Sequence, residues 1–135
     1  MSRIGIIGGT GLERVFEPTM TNARRERVQT EAGDPSDEVL LGEIDSIPVA
    51  ILPRHGRKHD KNPTNVPYGA NILALKKLGC GVVIGVCAVG SNKLDYAPGQ
   101  LAILSDAIDR TTRFPRCLYP NRVQHMGVVP LFNNF

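Results

Sequence analysis

The stretch IGIIGGTGL at residues 4–12 decides the fold, because it joins a short apolar run directly to a glycine-rich loop. Residues 4–7 predict a buried strand, since a continuous apolar run bounded by glycine is typical of one. Residues 8–11 predict a loop whose backbone approaches another group closely. The stretch fits neither the dinucleotide fingerprint, whose third glycine is replaced by Arg14, nor a P-loop, which needs Gly-Lys-Ser/Thr.

Further elements follow along the chain. Residues 17–37 are polar and predict an irregular excursion, whereas 39–44 and 47–52 predict two strands of a hairpin that turns at Asp45-Ser46. Apolar residues at helical spacing predict a helix over 68–78, with Gly79 as its C-cap. Apolar runs predict two more strands, at 82–86 and 101–104.

The alternation of strands with a helix predicts an α/β fold, in which helices flank a twisted sheet. The hairpin makes that sheet mixed rather than purely parallel. With 135 residues the chain is long enough for one compact domain, and we expect a single domain over 1–135.

Three of the predicted strands end in small polar loops. If those strands are parallel, their loops share the carboxyl edge of the sheet, where open α/β sheets bind ligands. The loops supply the Thr10 hydroxyl, the planar fork of Arg54 beside His55, and the backbone N–H groups at 88–90 followed by the Ser91 hydroxyl. Because these groups are mainly donors, their convergence predicts an anion site.

Each of these residues also has a simpler interpretation. Arg54 fits a surface arginine, Tyr68 a core aromatic, and Cys87 a small buried side chain. His55 and His59 are four residues apart, but the Pro53 and Gly56 around them do not suit a helical pair of metal ligands, so we expect no metal site.

Composition limits the partners and the compartment. The net charge of +3 is too small to predict nucleic-acid binding, and no apolar run approaches the roughly 20 residues of a membrane span. The three cysteines form no CxxC motif, which predicts reduced thiols. No signal peptide is predicted, because glycines interrupt the apolar run near the first residue. We therefore expect a cytoplasmic protein.

The ordered motifs resemble one family, the methylthioadenosine phosphorylases among the purine nucleoside phosphorylases. The resemblance rests on IGIIGGTGL at 4–12, PSD at 35–37, RHGRKH at 54–59, ANI at 70–72, AVGS at 88–91, LDY at 94–96 and IDRT at 108–111. It implies a phosphorylase/hydrolase fold with a mixed central sheet, and a homotrimer. The implied reaction converts 5′-methylthioadenosine and phosphate to adenine and 5-methylthioribose 1-phosphate, with inorganic phosphate as co-substrate and no cofactor.

The resemblance also implies roles for individual residues. Thr10, Arg54 and His55 would bind phosphate, together with Cys87, which occupies a position that is a threonine or another small residue in relatives. Ala88 would face the nucleoside through its backbone. His125 matches a histidine that reaches the ribose pocket of a neighbouring subunit.

The family chain is about twice as long, and its base-recognising aspartates fall in its second half. An alternative is therefore a non-catalytic or split-subunit protein that binds phosphate or nucleoside and needs a second chain. A dinucleotide-binding module is a third interpretation, against which the missing glycine counts. An open sheet leads us to expect association with itself or with a complementary half.

Overall fold

The computed structural model describes residues 2–9 and 11–108 of the chain. The chain divides into two compact units, Met1–Ala88 and Val89–Phe135. The described part of the second unit, residues 89–108, contains turns but neither helix nor strand. The strand predicted at 101–104 is therefore wrong. Leu101 and Ile103 are 96% and 99% exposed, so this apolar run has no packed surface that would hold it extended.

A five-stranded sheet forms the first unit. In chain order its elements are β1 (Arg3–Gly8), α1 (Leu12–Phe16), a 3-10 turn (Glu17–Thr19), β2 (Thr21–Glu26), β3 (Val39–Ile44), β4 (Ile47–Pro53), α2 (Tyr68–Lys77) and β5 (Cys80–Gly85). The strands lie in the order β2-β3-β4-β1-β5. Strand β1 runs parallel to both β4 and β5, whereas β3 is antiparallel to β4 and to β2. The predicted mixed α/β sheet is confirmed.

The hairpin between β3 and β4 turns where the sequence predicted. Asp45 and Ser46 have φ values of 49° and 65°, and Ile44 pairs with Ile47 across the turn. Two successive left-handed residues are typical of the type I′ turn, whose twist matches that of paired strands.

The core lies between the sheet and α2. Its buried side chains are Val28, Val39, Leu41, Ala50, Leu52, Ala74 and Leu75. The helix approaches β1 so closely that an added Cβ at Gly5 would lie 3.0 Å from Leu75 Cδ1, which explains a glycine inside this strand.

Helix α2 ends as predicted, but the side chains that it buries differ from the predicted ones. Gly79 has φ of 77° and donates its N–H to the Lys76 carbonyl at 3.0 Å, as a C-cap glycine does. The interpretation of Tyr68 as a core aromatic is wrong, because it is 48% exposed while Leu73 is 2% exposed. Tyr68 begins the helix beyond the edge of the core, and Leu73 lies at its centre.

Strand β2 falls in the segment that the sequence predicted to be irregular. Its first four residues are exposed, so no alternation of apolar side chains announces the strand. Backbone pairing with β3 forms it. Arg25 fixes it by ion pairs to Glu13 of α1 at 3.2 Å and to Glu17 of the 3-10 turn at 2.9 Å.

Candidate anion site at the carboxyl edge of the sheet

Three strand ends meet at one edge of the sheet. The parallel ladders continue just past the strands, where Arg54 N donates to the Gly8 carbonyl and Val86 N donates to the Ile7 carbonyl, each at 2.9 Å. The loops after β1, β4 and β5 therefore start side by side, and the predicted common edge is confirmed.

The guanidinium of Arg54 is the centre of this edge. Its Nη1 donates to the Val86 carbonyl at 2.8 Å and lies 3.5 Å from Cys87 Sγ. On the other side, an added Cβ at Gly9 would lie 3.3 Å from Arg54 Nη2, so the bare glycine backbone lets the guanidinium approach. One cation thus contacts the loop after β5 and faces the loop after β1, in the geometry suited to a planar oxyanion-binding fork.

His55 holds the guanidinium from the side. Its Nε2 accepts a hydrogen bond from Arg54 Nε at 3.1 Å, and its Nδ1 lies 2.9 Å from the Lys61 carbonyl. A carbonyl can only accept, so this arrangement requires the neutral tautomer with its proton on Nδ1. In the described geometry the ring orients Arg54.

A tight turn carries Arg54 and His55. Gly56 N donates to the Pro53 carbonyl at 2.9 Å, and Gly56 has φ of 77°. A side chain at this position would be strained and crowded, since an added Cβ would lie 2.5 Å from Asp60 Oδ1. The glycine of the RHGRKH motif therefore has a conformational cause.

Asp37 clamps the far end of this turn. Its carboxylate accepts from Arg57 N at 2.7 Å, and from Arg57 Nε at 3.2 Å and Nη2 at 3.1 Å. Partial burial opposes ionisation of Asp37, but the hydrogen bonds from the Arg57 side chain and backbone outweigh it, so the pKa of Asp37 lies below its ordinary value. The carboxylate raises the pKa of Arg57 in turn.

The structure brings together some of the residues that the sequence singled out. Arg54, His55 and Cys87 are adjacent, and Ala88 directly follows Cys87 in the chain. Cys87 is an exposed free thiol, so the interpretation of it as a small buried side chain is wrong: β5 is the last strand of the described sheet, and the loop after it is exposed. The phosphate and nucleoside roles of these four residues stay predictions.

Three other predicted residues lie outside the described part of the first unit. Thr10 and His125 lie outside the described residues. Ser91 belongs to the second unit, where its hydroxyl donates to the Lys93 carbonyl at 2.8 Å and accepts from Lys93 N at 3.0 Å. The described partner of the Ser91 hydroxyl is thus the backbone of Lys93, two residues along the chain.

Sequence reasoning missed the groups that support Arg54. They are backbone carbonyls, at Val86 and Lys61, and a buried polar pair formed by Ser36 and Asn71. A carbonyl leaves no signature in a sequence, because every residue has one. Asn71 is the one detectable signal, since a polar residue among the apolar positions of a helix requires a partner.

Residues 2–9 and 11–108 hold neither a cluster of metal ligands nor a membrane-spanning helix. No three His, Cys, Asp or Glu side chains in this part of the chain are arranged to hold a metal ion. Within the same residues, neither helix has the length and apolar character needed to cross a bilayer.

Comparisons with known proteins agree with the fold. The family model described as "Phosphorylase superfamily" matches residues 3–132. The chain is 46% identical over 133 residues to S-methyl-5′-thioadenosine phosphorylase of Thermococcus kodakarensis, covering 98% of this chain and 50% of the relative. It is 42% identical over 138 residues to the enzyme of that name from Drosophila melanogaster, covering 97% and 47%.

A solved structure gives the same result. The apo methylthioadenosine phosphorylase of Schistosoma mansoni superposes with a TM-score of 0.63 at 37% identity, over 73% of this chain and 34% of the other. The chain spans about half the length of the curated relatives it matches. From the matched residues 3–132 and the shared fold, this chain belongs to the phosphorylase superfamily.

Proposed function

We propose that the chain contributes the phosphate-binding side of a nucleoside phosphorylase, which converts 5′-methylthioadenosine and phosphate to adenine and 5-methylthioribose 1-phosphate. The observation that carries this proposal is the Arg54 guanidinium, which contacts or faces the ends of three parallel strands. The relatives described above carry the name of this activity, which supports the choice of nucleoside.

The chemistry suits such a site. A phosphate oxygen forms a bond to the anomeric carbon while the N-glycosidic bond breaks, and the departing base takes the bonding electrons and then a proton. Positive charge develops on the sugar, so the phosphate acts both as nucleophile and as counter-charge. Arg54 fixes the phosphate in the attacking position, and this positioning lowers the entropic part of the barrier. Phosphate is a co-substrate, and the reaction requires no cofactor.

The resemblance to the methylthioadenosine phosphorylases supplies the individual roles in this proposal. Thr10, Arg54, His55 and Cys87 bind phosphate. Ala88 and His125 serve the nucleoside, the latter across a subunit boundary. Arg54 has the best structural support of these residues. The described hydrogen bonds of its guanidinium go to neutral groups, and none of them goes to a carboxylate.

Replacement of Arg54 tests the proposal. Arg54→Ala should weaken the binding of inorganic phosphate by roughly 10- to 100-fold, as expected for hydrogen bonds to a charged group. Titration calorimetry on the 135-residue chain measures it. The matched control is Arg24→Ala, which removes the same charge from an exposed position on β2. Unchanged phosphate affinity in Arg54→Ala would remove this site from the proposal.

A second candidate is a phosphate- or nucleoside-binding protein that needs a second chain for turnover. The observation that favours it is β5, where Val82, Val83 and Ile84 are 57%, 40% and 47% exposed at the end of the described sheet. Phosphate-dependent release of adenine by the chain alone supports the first function, and phosphate binding without release supports the second.

Association and location complete the proposal. The exposed apolar surface of β5 leads us to propose that the protein associates, as a homotrimer or with a complementary half. Sedimentation velocity over a range of concentrations measures this, and a monomer throughout would contradict self-association. The free thiols of Cys80 and Cys87 support a reducing compartment, and we propose the cytoplasm.

A further inference from the structure

A buried polar pair lies directly behind Arg54. The Ser36 hydroxyl donates to the Arg54 carbonyl at 2.6 Å, and Ser36 N donates to Asn71 Oδ1 at 2.7 Å. Asn71 Nδ2 donates back to Ser36 Oγ at 2.9 Å. Ser36 is 4% exposed and Asn71 is 1% exposed, so the two bonds between them are shielded from water, and the bond to Arg54 is partly buried.

The hydrogen bonds of this pair have one consistent direction. Ser36 N is a donor, which fixes Oδ1 of the Asn71 amide towards it and turns Nδ2 towards the hydroxyl. A hydroxyl has a single hydrogen. Because Ser36 Oγ accepts from Asn71, that hydrogen is directed to the Arg54 carbonyl. Helix α2 carries Asn71 and thereby directs the hydrogen of the Ser36 hydroxyl to the Arg54 carbonyl.

The backbone of Arg54 is consequently held on both sides. Its N–H donates to the Gly8 carbonyl at 2.9 Å, and its carbonyl accepts from Ser36 at 2.6 Å. Asp37, the residue after Ser36, accepts from Arg57 N at 2.7 Å and fixes the other end of the same turn. Only side-chain torsions of Arg54 remain to be set, and His55 and Val86 restrict those.

We infer that Ser36 and Asn71 are positioning residues, which hold the turn at 53–56 so that the Arg54 guanidinium points at bound phosphate. This inference rests on the proposed function. The described hydrogen bonds of the pair reach the Arg54 carbonyl and not its guanidinium, so the pair acts through that carbonyl. A site that binds a small anion requires its donors to be fixed to within a fraction of an ångström, and a buried, fully paired network supplies that rigidity.

A role in stability alone is the competing explanation, because any satisfied buried pair stabilises the fold. The control is Thr30, whose more exposed hydroxyl also donates to a backbone carbonyl at 2.6 Å, that of Gly33, in the same excursion between β2 and β3. Ser36→Ala and Thr30→Val each remove the bond to a carbonyl and one bond that the hydroxyl accepts. Only the first carbonyl belongs to Arg54.

The test measures phosphate affinity and unfolding free energy on the 135-residue chain. Ser36→Ala should weaken the binding of inorganic phosphate roughly 3- to 10-fold, as expected for one neutral hydrogen bond. Thr30→Val should leave phosphate affinity unchanged. Unchanged affinity in Ser36→Ala overturns the inference. An equal loss in Thr30→Val also overturns it, because the effect would then follow stability rather than Arg54.

A second variant decides the matter if Ser36→Ala does not fold. Asn71→Leu keeps a side chain of similar size without burying a charge, and it removes both bonds between position 71 and Ser36. The Ser36 hydroxyl then loses the partner that directs its hydrogen to the Arg54 carbonyl. This variant should bind phosphate more weakly, as Ser36→Ala does. A phosphate affinity equal to that of the wild-type chain would overturn the inference.

Arg54→Ala separates this inference from the proposed function. Normal phosphate binding in Arg54→Ala means that the phosphate site itself is elsewhere, and both ideas fall. Weak binding in Arg54→Ala with normal binding in Ser36→Ala means that the site stands and only the positioning role falls.

Discussion

Strands β4 and β5 flank β1 on opposite sides and differ sharply in burial despite similar sequences. Both are parallel to β1, and Ile6 of β1 pairs with Ile51 of β4 on one side and Ile84 of β5 on the other. Ile51 is 1% exposed and Ile84 is 47% exposed. β4 lies inside the sheet with β3 beyond it, whereas β5 is the last strand of the described sheet. An apolar run therefore predicts a strand, but its neighbours determine its burial.

The same contrast divides the candidate site. Arg54 follows the well-packed strand, and its turn is fixed by Gly8, Ser36 and Asp37. Cys87 follows the exposed strand, and its thiol is exposed. The charged group that must be positioned most accurately thus lies where the packing is most rigid.

The largest expected effect is in the core. Ile51→Ala should cost about 2–5 kcal/mol of unfolding free energy, because it removes buried methylenes and leaves a cavity. Ile84→Ala should cost about 1 kcal/mol or less, because the side chain is already half exposed. Urea unfolding of the two variants measures the difference.

These two variants test the comparison directly, since each shortens one isoleucine that pairs with Ile6. Equal losses would contradict the conclusion that neighbours, rather than the strand itself, set the contribution of each residue. They would also indicate that Ile84 is covered when the protein is in solution.

The sequence predicted most of the sheet because those elements carry local signals. The strand at 4–7, the hairpin about Asp45-Ser46, the helix over 68–78 and the strand at 82–86 all appear within two residues of the predicted bounds. Each combines an apolar pattern with a glycine or a turn residue at its end. Strand β2 has neither signal, and only its hydrogen bonds to β3 define it.

The site was predictable to the extent that it depends on side chains. Arg54, His55 and Cys87 were singled out, and the parallel arrangement of their strands brings them together. The exposure of the Cys87 thiol could not be predicted, because it depends on what covers β5. The Ser36–Asn71 pair was also missed, because residues 35 apart in the chain become neighbours only when the excursion packs against α2.

An intermediate effect is expected at the exposed edge. Ile84→Lys should reduce self-association of the chain, because a charge on an edge strand opposes pairing with another copy. Sedimentation velocity should show a smaller rise of the sedimentation coefficient with concentration than for the wild-type chain. Val15→Lys is the control, since it adds the same charge to a valine on α1 that is 68% exposed. The same association in Ile84→Lys as in the wild-type chain would exclude β5 as the interface.

The smallest expected effect concerns the clamp after β4. The pKa of Asp37 is below its ordinary value of 3.8, so the carboxylate stabilises the fold fully above that pH, and the contribution is lost as pH falls through the folded-state value. Asp37→Asn should cost about 0.2–1 kcal/mol near pH 7, since Arg57 is partly exposed and water screens the pair. The cost should shrink as pH falls below the ordinary value and wild-type Asp37 becomes protonated too.

Urea unfolding of both proteins across this range tests the clamp. Asp34→Asn serves as the control, because Asp34 lies 4.0 Å from Arg27 with both side chains largely exposed, and it should show little cost at either pH. A cost of Asp37→Asn that stays constant with pH would mean that shape rather than charge matters at this position. In that case neutral hydrogen bonds, such as those of Gly8 and Ser36, would fix the turn at 53–56, and the rigid side of the comparison would need no charged clamp.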